Sequence, residues 1–213
     1  MRSQLNPTPV PRPGGRSARI QERVFAATLS QLATESLSTM SVKRIAEEAE
    51  VAETTVYRRW GSLVDLVLAA VTAYASERNP IPDRGDLEAD LRALLENVAG
   101  LLEQDATRRI FQFAVALEGS NEESTRARAR FWNERFEAGG AIVARAVERG
   151  EIPAGVDPLA VIETLVGTVY VRAFVSGRPS TPDQLEASVR AALDVATGAA
   201  AEKRTAAPAS AVD

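Results

Sequence analysis

Apolar residues recur every three to four positions along almost the whole chain, which is the spacing of an α-helix with one buried face. The spacing of two that marks a half-buried strand is absent from the sequence, and Ala and Leu dominate the periodic stretches. The pattern therefore predicts an all-α protein of about nine helices. In the first helix, over residues 18–35, the recurring positions are Ile20, Val24, Ala27, Thr28 and Leu32.

Capping residues and helix breakers indicate where the other helices begin and end. Two short helices follow the first, one from Ser41 to about Ala49 and the other ending near Trp60. A longer helix over residues 62–78 ends where Asn79 and the prolines after it break the pattern. Five later helices are predicted to start at N-cap residues, which are Asp86, Asp105, Ser120, Asp157 and Thr181.

Composition excludes several kinds of chemistry. The 213 residues include neither cysteine nor histidine, so disulfides, thiolate metal sites and Ser–His or Cys–His hydrolases are excluded. Hydrophobic residues make up 45% and charged residues 25%, which is the profile of a soluble globular protein. We predict no bound cofactor and no metal site.

Charge is unevenly distributed along the chain. Residues 1–60 hold nine Lys and Arg against six Asp and Glu, whereas the remainder holds sixteen against twenty-three. A basic first part on an acidic body suits a polyanion-binding domain joined to a second one. The N-terminal stretch has no apolar run of the kind a signal peptide needs, so we predict a cytoplasmic protein that does not enter a membrane.

The segment AEVAETTVYRRWGS, residues 49–62, carries the clearest functional pattern. At helical spacing Val56 and Trp60 stack on one face, while two threonines and two arginines spread over the opposite face with Tyr57 at its edge. Arginine pairs with phosphate or guanine, threonine contacts base edges, and a tyrosine hydroxyl donates to phosphate. With the short helix before it, the segment predicts a helix-turn-helix whose second helix enters the major groove of duplex DNA.

Residues 20–68 closely resemble the DNA-binding domain of TetR/AcrR-type bacterial regulators. The resemblance rests on MSVKRIAEEAEV followed by TTVYRRWGS, in the order and spacing of that family's first four helices. It implies a homodimeric transcriptional regulator, usually a repressor that binds a palindromic operator and is released by a small-molecule effector. The implied domains are a flexible basic arm over residues 1–17 and a three-helix DNA-binding domain over residues 18–61. The fourth helix joins these to a helical ligand-binding and dimerisation domain over residues 62–198, which is followed by a disordered tail over residues 199–213.

The resemblance also implies which residues contact DNA. They lie at the start of the second helix, on the recognition helix, and at the N-terminus of the fourth helix, where backbone N–H groups can bind a phosphate. These are Lys43, Arg44, Thr54, Thr55, Tyr57, Arg58, Arg59 and Ser62.

Four positions depart from the family pattern. Glu50 stands where a glycine is usual in the turn, and Ala52 replaces a usual serine N-cap. Glu53 places a negative charge where the helix meets DNA, and Leu63 replaces a common phosphate-binding lysine. Together they predict weak nonspecific binding and a recognition helix that is mobile away from DNA, with the arginine-rich arm as a possible source of compensation.

The second half predicts a dimer interface and a ligand pocket. The helix over residues 159–175 is apolar on nearly every side but is too short and too charged to span a membrane convincingly, so it must be buried within the chain or against a second copy. By family analogy the interface residues are Val161, Leu165, Val169, Leu185, Val189 and Leu193. The pocket residues, each of which has ordinary core packing as its alternative, are Leu94, Val98, Arg108, Phe111, Val115, Glu118, Trp132, Phe136 and Tyr170.

Other functions stay open at this point. The nearest is an activator or a DNA-binding regulator without an effector. More distant ones are a purely structural helical module and a helical enzyme in which Glu118 and Arg109 act on a small metabolite. The sequence contains no phosphate-binding loop or paired-carboxylate motif that would favour the enzyme.

Overall fold

The computed structural model describes residues 15–35, 39–116 and 122–198, apart from the side chains of residues 116, 123, 124 and 127. The chain forms two compact units, Met1–Ala70 and Val71–Asp213, which divide within the fourth helix. Each unit is described by itself below, and the domain limits expected from the sequence stay predictions.

The described residues form nine α-helices and one π-helical segment and contain no strand, which confirms the all-α prediction. The first four helices are α1 (Arg16–Thr34), α2 (Val42–Glu48), α3 (Glu53–Trp60) and α4 (Leu63–Arg78). The others are α5 (Leu87–Glu103), α6 (Asp105–Ala116), α7 (Glu122–Glu148), α8 (Pro158–Val171), the π-helical segment Arg172–Ser176 and α9 (Pro182–Ala196).

Side-chain caps begin most of these helices where the sequence places them. The Ser41 and Asp86 side chains accept backbone N–H groups three residues on at 3.3 and 2.8 Å, and Asp157 accepts the Leu159 N–H at 2.9 Å. At α9 the Thr181 N–H donates to Gln184 Oε1 at 3.1 Å. Two expectations differ from this pattern. Asp105 is the first residue of α6 rather than its cap, and Ser120 lies outside the described residues.

In the first unit, α1 packs on α2 and α2 packs on α3 around a small apolar core. Val24 of α1, Ile45 of α2 and Val56 of α3 are each at most 1% exposed. Phe25 of α1 contacts the Trp60 ring, with the ring centroids 5.7 Å apart. This core fixes the face of α3 that points away from solvent, and therefore fixes the face that can meet a partner.

In the second unit, α8 is the central helix and packs on both α7 and α9. A Cβ atom added to Gly139 would lie 3.2 Å from Ile162, and one added to Gly140 would lie 3.1 Å from Pro158. The glycine pair therefore lets α7 approach α8 closely. The expected apolar helix to Val175 keeps α-helical hydrogen bonding only to Val171 and then continues as the π-helical segment.

Among the described residues, one helical stretch, Pro158–Ser176, is long and apolar enough to cross a membrane by length and composition alone. Only 28% of its most apolar window is buried inside the chain. The large apolar side chains that the protomer leaves exposed on this stretch are Leu159, Val171 and Val175.

Candidate DNA-binding surface and regulatory cavity

The recognition helix α3 is held to the first unit by two residues of one face. Val56 is 1% exposed, and the Trp60 ring lies against Phe25 on α1. The helix is only eight residues long, so these contacts rather than helix propensity hold it in place.

The opposite face of α3 carries the side chains expected to contact DNA. Thr54 and Arg58 are exposed, and Tyr57 is 51% exposed although it is a large aromatic residue. Thr55 is half-buried and lines a cleft beside α1. Thr54, Tyr57 and Arg58 are therefore the more exposed of the residues of α3 that were expected to contact DNA.

Arg59 has a different position from the one the sequence suggests. Its guanidinium donates to the Ser17 carbonyl at 3.0 Å and to the Ser17 hydroxyl at 3.1 Å, and it lies 5.0 Å from the Trp60 ring centroid. These contacts tie the end of α3 to the start of α1. To contact DNA, the Arg59 guanidinium therefore has to keep or give up its hydrogen bonds to Ser17.

The two basic residues of α2 also differ from one another. Arg44 forms a two-pronged ion pair with Glu35, at 2.6 and 2.8 Å, and the hydrogen bond from Arg44 lowers the pKa of the Glu35 carboxyl. Lys43 is exposed and lies 4.0 Å from Glu47. Lys43 is therefore the more available of the two for a phosphate.

Ser62 lies at the N-terminus of α4, where the sequence places it. Its hydroxyl accepts the Asp65 N–H at 3.0 Å and donates to the Asp65 carboxylate at 2.8 Å. The side chain therefore works as the helix cap, and the adjacent carboxylate opposes an incoming phosphate. A phosphate contact by Ser62 stays a prediction.

The turn between α2 and α3 contains a glutamate in a left-handed conformation. Glu50 has φ 53° and is the non-glycine residue with positive φ among the described residues. The Glu50 and Val51 N–H groups donate to the carbonyls of Glu47 and Ala46 at 3.1 and 2.9 Å, as in a Schellman motif. Glycine adopts this left-handed conformation easily, whereas a residue with a side chain does not. Glutamate in place of the usual glycine therefore strains the turn.

The start of α3 lacks a side-chain cap, as the sequence indicates. Ala52 is the N-cap residue and its methyl group offers no acceptor, while Glu53 is the acidic residue of the first turn. The carboxylate of Glu53 suits the positive end of the helix dipole but repels phosphate.

A cleft lies beside α3 in the same unit. Its volume is about 510 Å³, and it is lined by Arg16, Arg19, Ile20, Arg23, Glu50, Val51, Ala52 and Thr55. The three arginines come from one face of α1, and Arg23 pairs with Glu50 at 2.9 Å. Arg16 belongs to the arginine-rich arm that the sequence offered as a source of compensation, whereas Arg19 and Arg23 were assigned no function.

The expected pocket residues of the second unit lie in different surroundings, and their role as one ligand pocket stays a prediction. Leu94, Val98 and Phe111 are at most 6% exposed in the core, and Val115 is 40% exposed on α6. Glu118 lies outside the described residues. The remaining expected members lie in two separate places, a cleft and an aromatic cluster.

The cleft has a volume of about 270 Å³ and holds Arg108. The Arg108 guanidinium pairs with Asp105 and donates to the Leu102 carbonyl. The other lining residues come mainly from α5 and the π-helical segment with its following loop: Ala99, Leu102, Glu103, Val169, Ala173, Gly177, Arg178, Pro179 and Ser180.

The aromatic cluster joins α7 to α8 and the π-helical segment. Trp132 contacts Phe131, Phe136 and Tyr170, with ring centroids between 5.1 and 5.9 Å apart, and Tyr170 contacts Phe174. Burial raises the pKa of the Tyr170 hydroxyl.

An arginine that the sequence-based prediction did not single out lies beside this cluster. Burial lowers the pKa of the Arg135 guanidinium, and its buried Nε has no hydrogen-bond acceptor in the described part of the chain. Its neighbours in sequence are charged too, so no sequence signal separates it from a surface arginine.

The expected interface residues divide between the core and the surface of the protomer. Val161, Leu165, Val169 and Val189 are at most 4% exposed, so their side chains already have their contacts within one chain. Leu185 and Leu193 are half-buried on α9. The large apolar side chains exposed on this part of the protomer are Leu159, Val171 and Val175, at 43, 54 and 79%.

A three-helix unit with an outward-facing recognition helix, followed by a larger helical unit, defines a helix-turn-helix transcriptional regulator. Two family models match this division: "Bacterial regulatory proteins, tetR family" over residues 24–70, and "Tetracyclin repressor-like, C-terminal domain" over residues 81–192. The second match alone covers more than half of the chain, and the chain belongs to the TetR family of DNA-binding transcriptional regulators. The class predicted from the sequence, a regulator and not an enzyme, is confirmed.

Individual relatives agree with this assignment. The HTH-type transcriptional regulator AqdR of Rhodococcus erythropolis is 28% identical over 156 residues, which are 73% of this chain and 75% of AqdR. The crystal structure of the TetR family transcription regulator SCO0332 has a TM-score of 0.72 and 25% identity, and the match covers 83% of this chain and 98% of that one.

A more distant structure shows the shared fold alone. The transcriptional regulator FadR from Bacillus subtilis, solved in complex with stearoyl-CoA, has a TM-score of 0.59 and 17% identity. The match covers 83% of this chain and 98% of FadR.

Proposed function

We propose that this protein is a cytoplasmic homodimeric repressor that binds a palindromic operator and leaves it when a small molecule binds the second unit. The observation that carries the DNA-binding part is the arrangement of α3. Val56 and Trp60 hold the helix, while Thr54, Tyr57 and Arg58 project into solvent. An exposed tyrosine and arginine beside a threonine combine phosphate contacts with a base-edge contact on one short helix.

The dimer part is supported by the apolar surface of α8 and the π-helical segment. Val171 and Val175 are 54 and 79% exposed, and a Cβ atom added to Gly167 would meet nothing within 4 Å in the protomer. A second copy of the chain would cover these side chains and bring two recognition helices to one duplex. A closed two-fold dimer matches the symmetry of a palindrome.

The effector part is supported by the cleft and the aromatic cluster of the second unit. FadR, which has the same fold, was solved with an acyl-CoA. The cluster offers aromatic surface, and the Arg135 guanidinium beside it has a buried Nε without an acceptor. An apolar molecule with an anionic group suits this chemistry, because the anion would offset the desolvation of the guanidinium.

A gel-shift experiment tests the proposal. The purified chain should shift a fragment from upstream of its own gene at a lower concentration than a random fragment of equal length. The shift should weaken as salt rises, since phosphate contacts release counterions. A chain that shifts neither fragment at low salt is not an operator-binding repressor.

Two substitutions on α3 separate phosphate contacts from base reading. Tyr57→Phe removes a hydroxyl donor and should weaken binding to both fragments by a similar factor. Thr54→Ala should weaken binding to the operator fragment by about 1–3 kcal/mol and leave binding to the random fragment nearly unchanged, because base contacts carry the specificity. Equal losses on both fragments for both variants would contradict this division.

A further inference from the structure

Three arginines of α1 form a row beside the recognition helix. Arg16, Arg19 and Arg23 are spaced three and four residues apart, so they share one face of α1 over about 10 Å of helix axis. All three are exposed and line the same cleft of about 510 Å³. Arg16 and Arg19 make no ion pair or side-chain hydrogen bond with any described residue.

The opposite wall of the cleft belongs to the helix-turn-helix itself. Val51, Ala52 and Thr55 line it, so the cleft is continuous with the start of α3. An anion lying in the cleft would therefore lie next to whatever α3 contacts. The surface that can meet duplex DNA extends from α3 onto α1.

One anion is already present in the cleft. The Glu50 carboxylate accepts from Arg23 at 2.9 Å, although 82% of the Glu50 side chain is exposed. Glu50 occupies a left-handed position that glycine would fill without strain. The residue that strains the turn thus places a carboxylate where an approaching phosphate would meet Arg23.

The family match covers one wall of the cleft and not the other. It begins at Val24, so Arg16, Arg19 and Arg23 precede it, whereas Glu50, Val51, Ala52 and Thr55 lie within it. The position of the three arginines comes only from the structure of this chain.

We propose that the cleft between α1 and the turn binds backbone phosphates of duplex DNA, and that the Glu50 carboxylate forms an ion pair with Arg23 when DNA is absent. This inference rests on the proposed DNA-binding function and extends it beyond α3. Three arginines against one glutamate leave the cleft with a net charge of +2. The row meets phosphates rather than bases, because it lies beside the recognition helix instead of on it. Its contribution is therefore independent of sequence and depends on salt.

A salt titration with a random-sequence duplex of about 30 base pairs tests the inference without knowledge of the operator. Each phosphate contact contributes about a threefold loss of affinity between 50 and 200 mM salt. The double variant Arg16→Ala/Arg19→Ala should bind the duplex more weakly at 50 mM salt. The factor by which its affinity falls between 50 and 200 mM salt should be about tenfold smaller than that of the unmodified chain.

The matched control removes the same charge elsewhere. Arg84 and Arg126 are exposed residues of the second unit, and the double variant Arg84→Ala/Arg126→Ala has the same net charge as the α1 variant. It should keep the salt dependence of the unmodified chain. If both double variants change the salt dependence equally, net charge explains the result and the cleft is not a phosphate site.

Glu50→Gln tests the role of the glutamate, since it removes the charge but keeps a side chain of similar size. With Arg23 released, the loss of affinity between 50 and 200 mM salt should become about threefold larger. If the loss of affinity is unchanged or smaller, Glu50 does not compete with phosphate for Arg23.

The outcomes separate this inference from the proposed function. If the unmodified chain binds the duplex but both cleft variants retain its salt dependence, the inference is wrong and the repressor proposal stands. If the unmodified chain binds no duplex even at 50 mM salt, the proposed function is wrong and the cleft proposal falls with it. Helix content measured by circular dichroism should be equal in all variants, which excludes unfolding as the cause.

Discussion

Glu50 adopts a left-handed conformation in the turn that leads into the recognition helix. A non-glycine residue in the left-handed region costs about 1–2 kcal/mol, whereas an exposed ion pair such as Glu50 with Arg23 contributes about 0–1 kcal/mol. The strain is therefore larger than the stabilisation by the pair. We therefore expect glycine to be more stable than glutamate at this position.

Glu50→Gly should accordingly raise the free energy of unfolding of the first unit by about 1 kcal/mol. The chain has two tryptophans, so a Trp132→Phe background leaves Trp60 as the reporter of that unit. Urea unfolding followed by Trp60 fluorescence measures the change.

Glu53→Gly is the control for that experiment. Glu53 has helical geometry in the first turn of α3, so glycine there should lower stability by about 1 kcal/mol or less. If Glu50→Gly lowers stability as Glu53→Gly does, the left-handed turn does not strain the chain.

Tyr170 gives a prediction that depends on pH. Burial raises its pKa above the ordinary value of about 10, while the charge of Arg135 opposes the shift. The folded chain holds this proton more tightly than the unfolded chain does. The contribution to stability is therefore complete below about pH 10 and is lost as the pH rises through the raised value.

The measurement compares the unmodified chain with Tyr170→Phe in urea between pH 9 and 11. The unmodified chain should lose stability more steeply as the pH rises, and the variant should lack that part of the slope. Parallel stability curves would show that the Tyr170 hydroxyl is not desolvated.

At the scale of elements, α3 is a short helix without a side-chain cap. It is eight residues long and its N-cap is Ala52, which provides no acceptor. Ala52→Ser should stabilise α3 by about 0.5–2 kcal/mol, because the hydroxyl can accept an N–H group of the first turn. The urea midpoint of Trp60 fluorescence measures the gain.

Ala52→Val is the matched control, since it adds a side chain without an acceptor. It should give no gain. Similar midpoints for the serine and valine variants would mean that the missing cap is not what limits α3.

The sequence predicted the elements well because their signals are local. Caps such as Asp86 and Asp157 act within three residues, and the α3 anchor pair Val56 and Trp60 follows from helical spacing. The caps and the anchor pair depend on neighbours along the chain and not on the rest of the fold. Glu50 stood out only because the family pattern has glycine in the turn, and its left-handed conformation comes from the structure.

Contacts between distant residues could not be predicted in this way. Arg59 is tied to Ser17, 42 residues away, and Arg44 is tied to Glu35, so two of the expected DNA contacts are already paired in the protomer. Arg135 reads as a surface arginine until α7 and α8 are packed together. The positions of Arg108 in a cleft and of Trp132, Phe136 and Tyr170 in an aromatic cluster likewise depend on how helices pack.

At the scale of the whole molecule, the apolar surface of α8 and the π-helical segment leads to a prediction of oligomeric state. The double variant Val171→Glu/Val175→Glu places two charges on side chains that are 54 and 79% exposed in the protomer. If a second copy covers them, the variant should sediment as a monomer while the unmodified chain sediments as a dimer.

Val115→Glu is the control, because Val115 is also exposed, at 40%, but lies on α6. It should leave the dimer intact. If Val171→Glu/Val175→Glu leaves the sedimentation coefficient unchanged, the dimer interface does not include Val171 and Val175.

Selection of bound sequences from a pool of random duplexes by the purified chain tests whether a homodimer reads DNA through α3. We expect enrichment of a palindrome whose half-sites are centred about one helical turn, or 34–36 Å, apart. Thr54→Ala should alter the enriched half-site, and Tyr57→Phe should leave it unchanged. A pool that shows no enrichment, or enrichment of a single site without two-fold symmetry, would contradict a homodimer that reads DNA through α3.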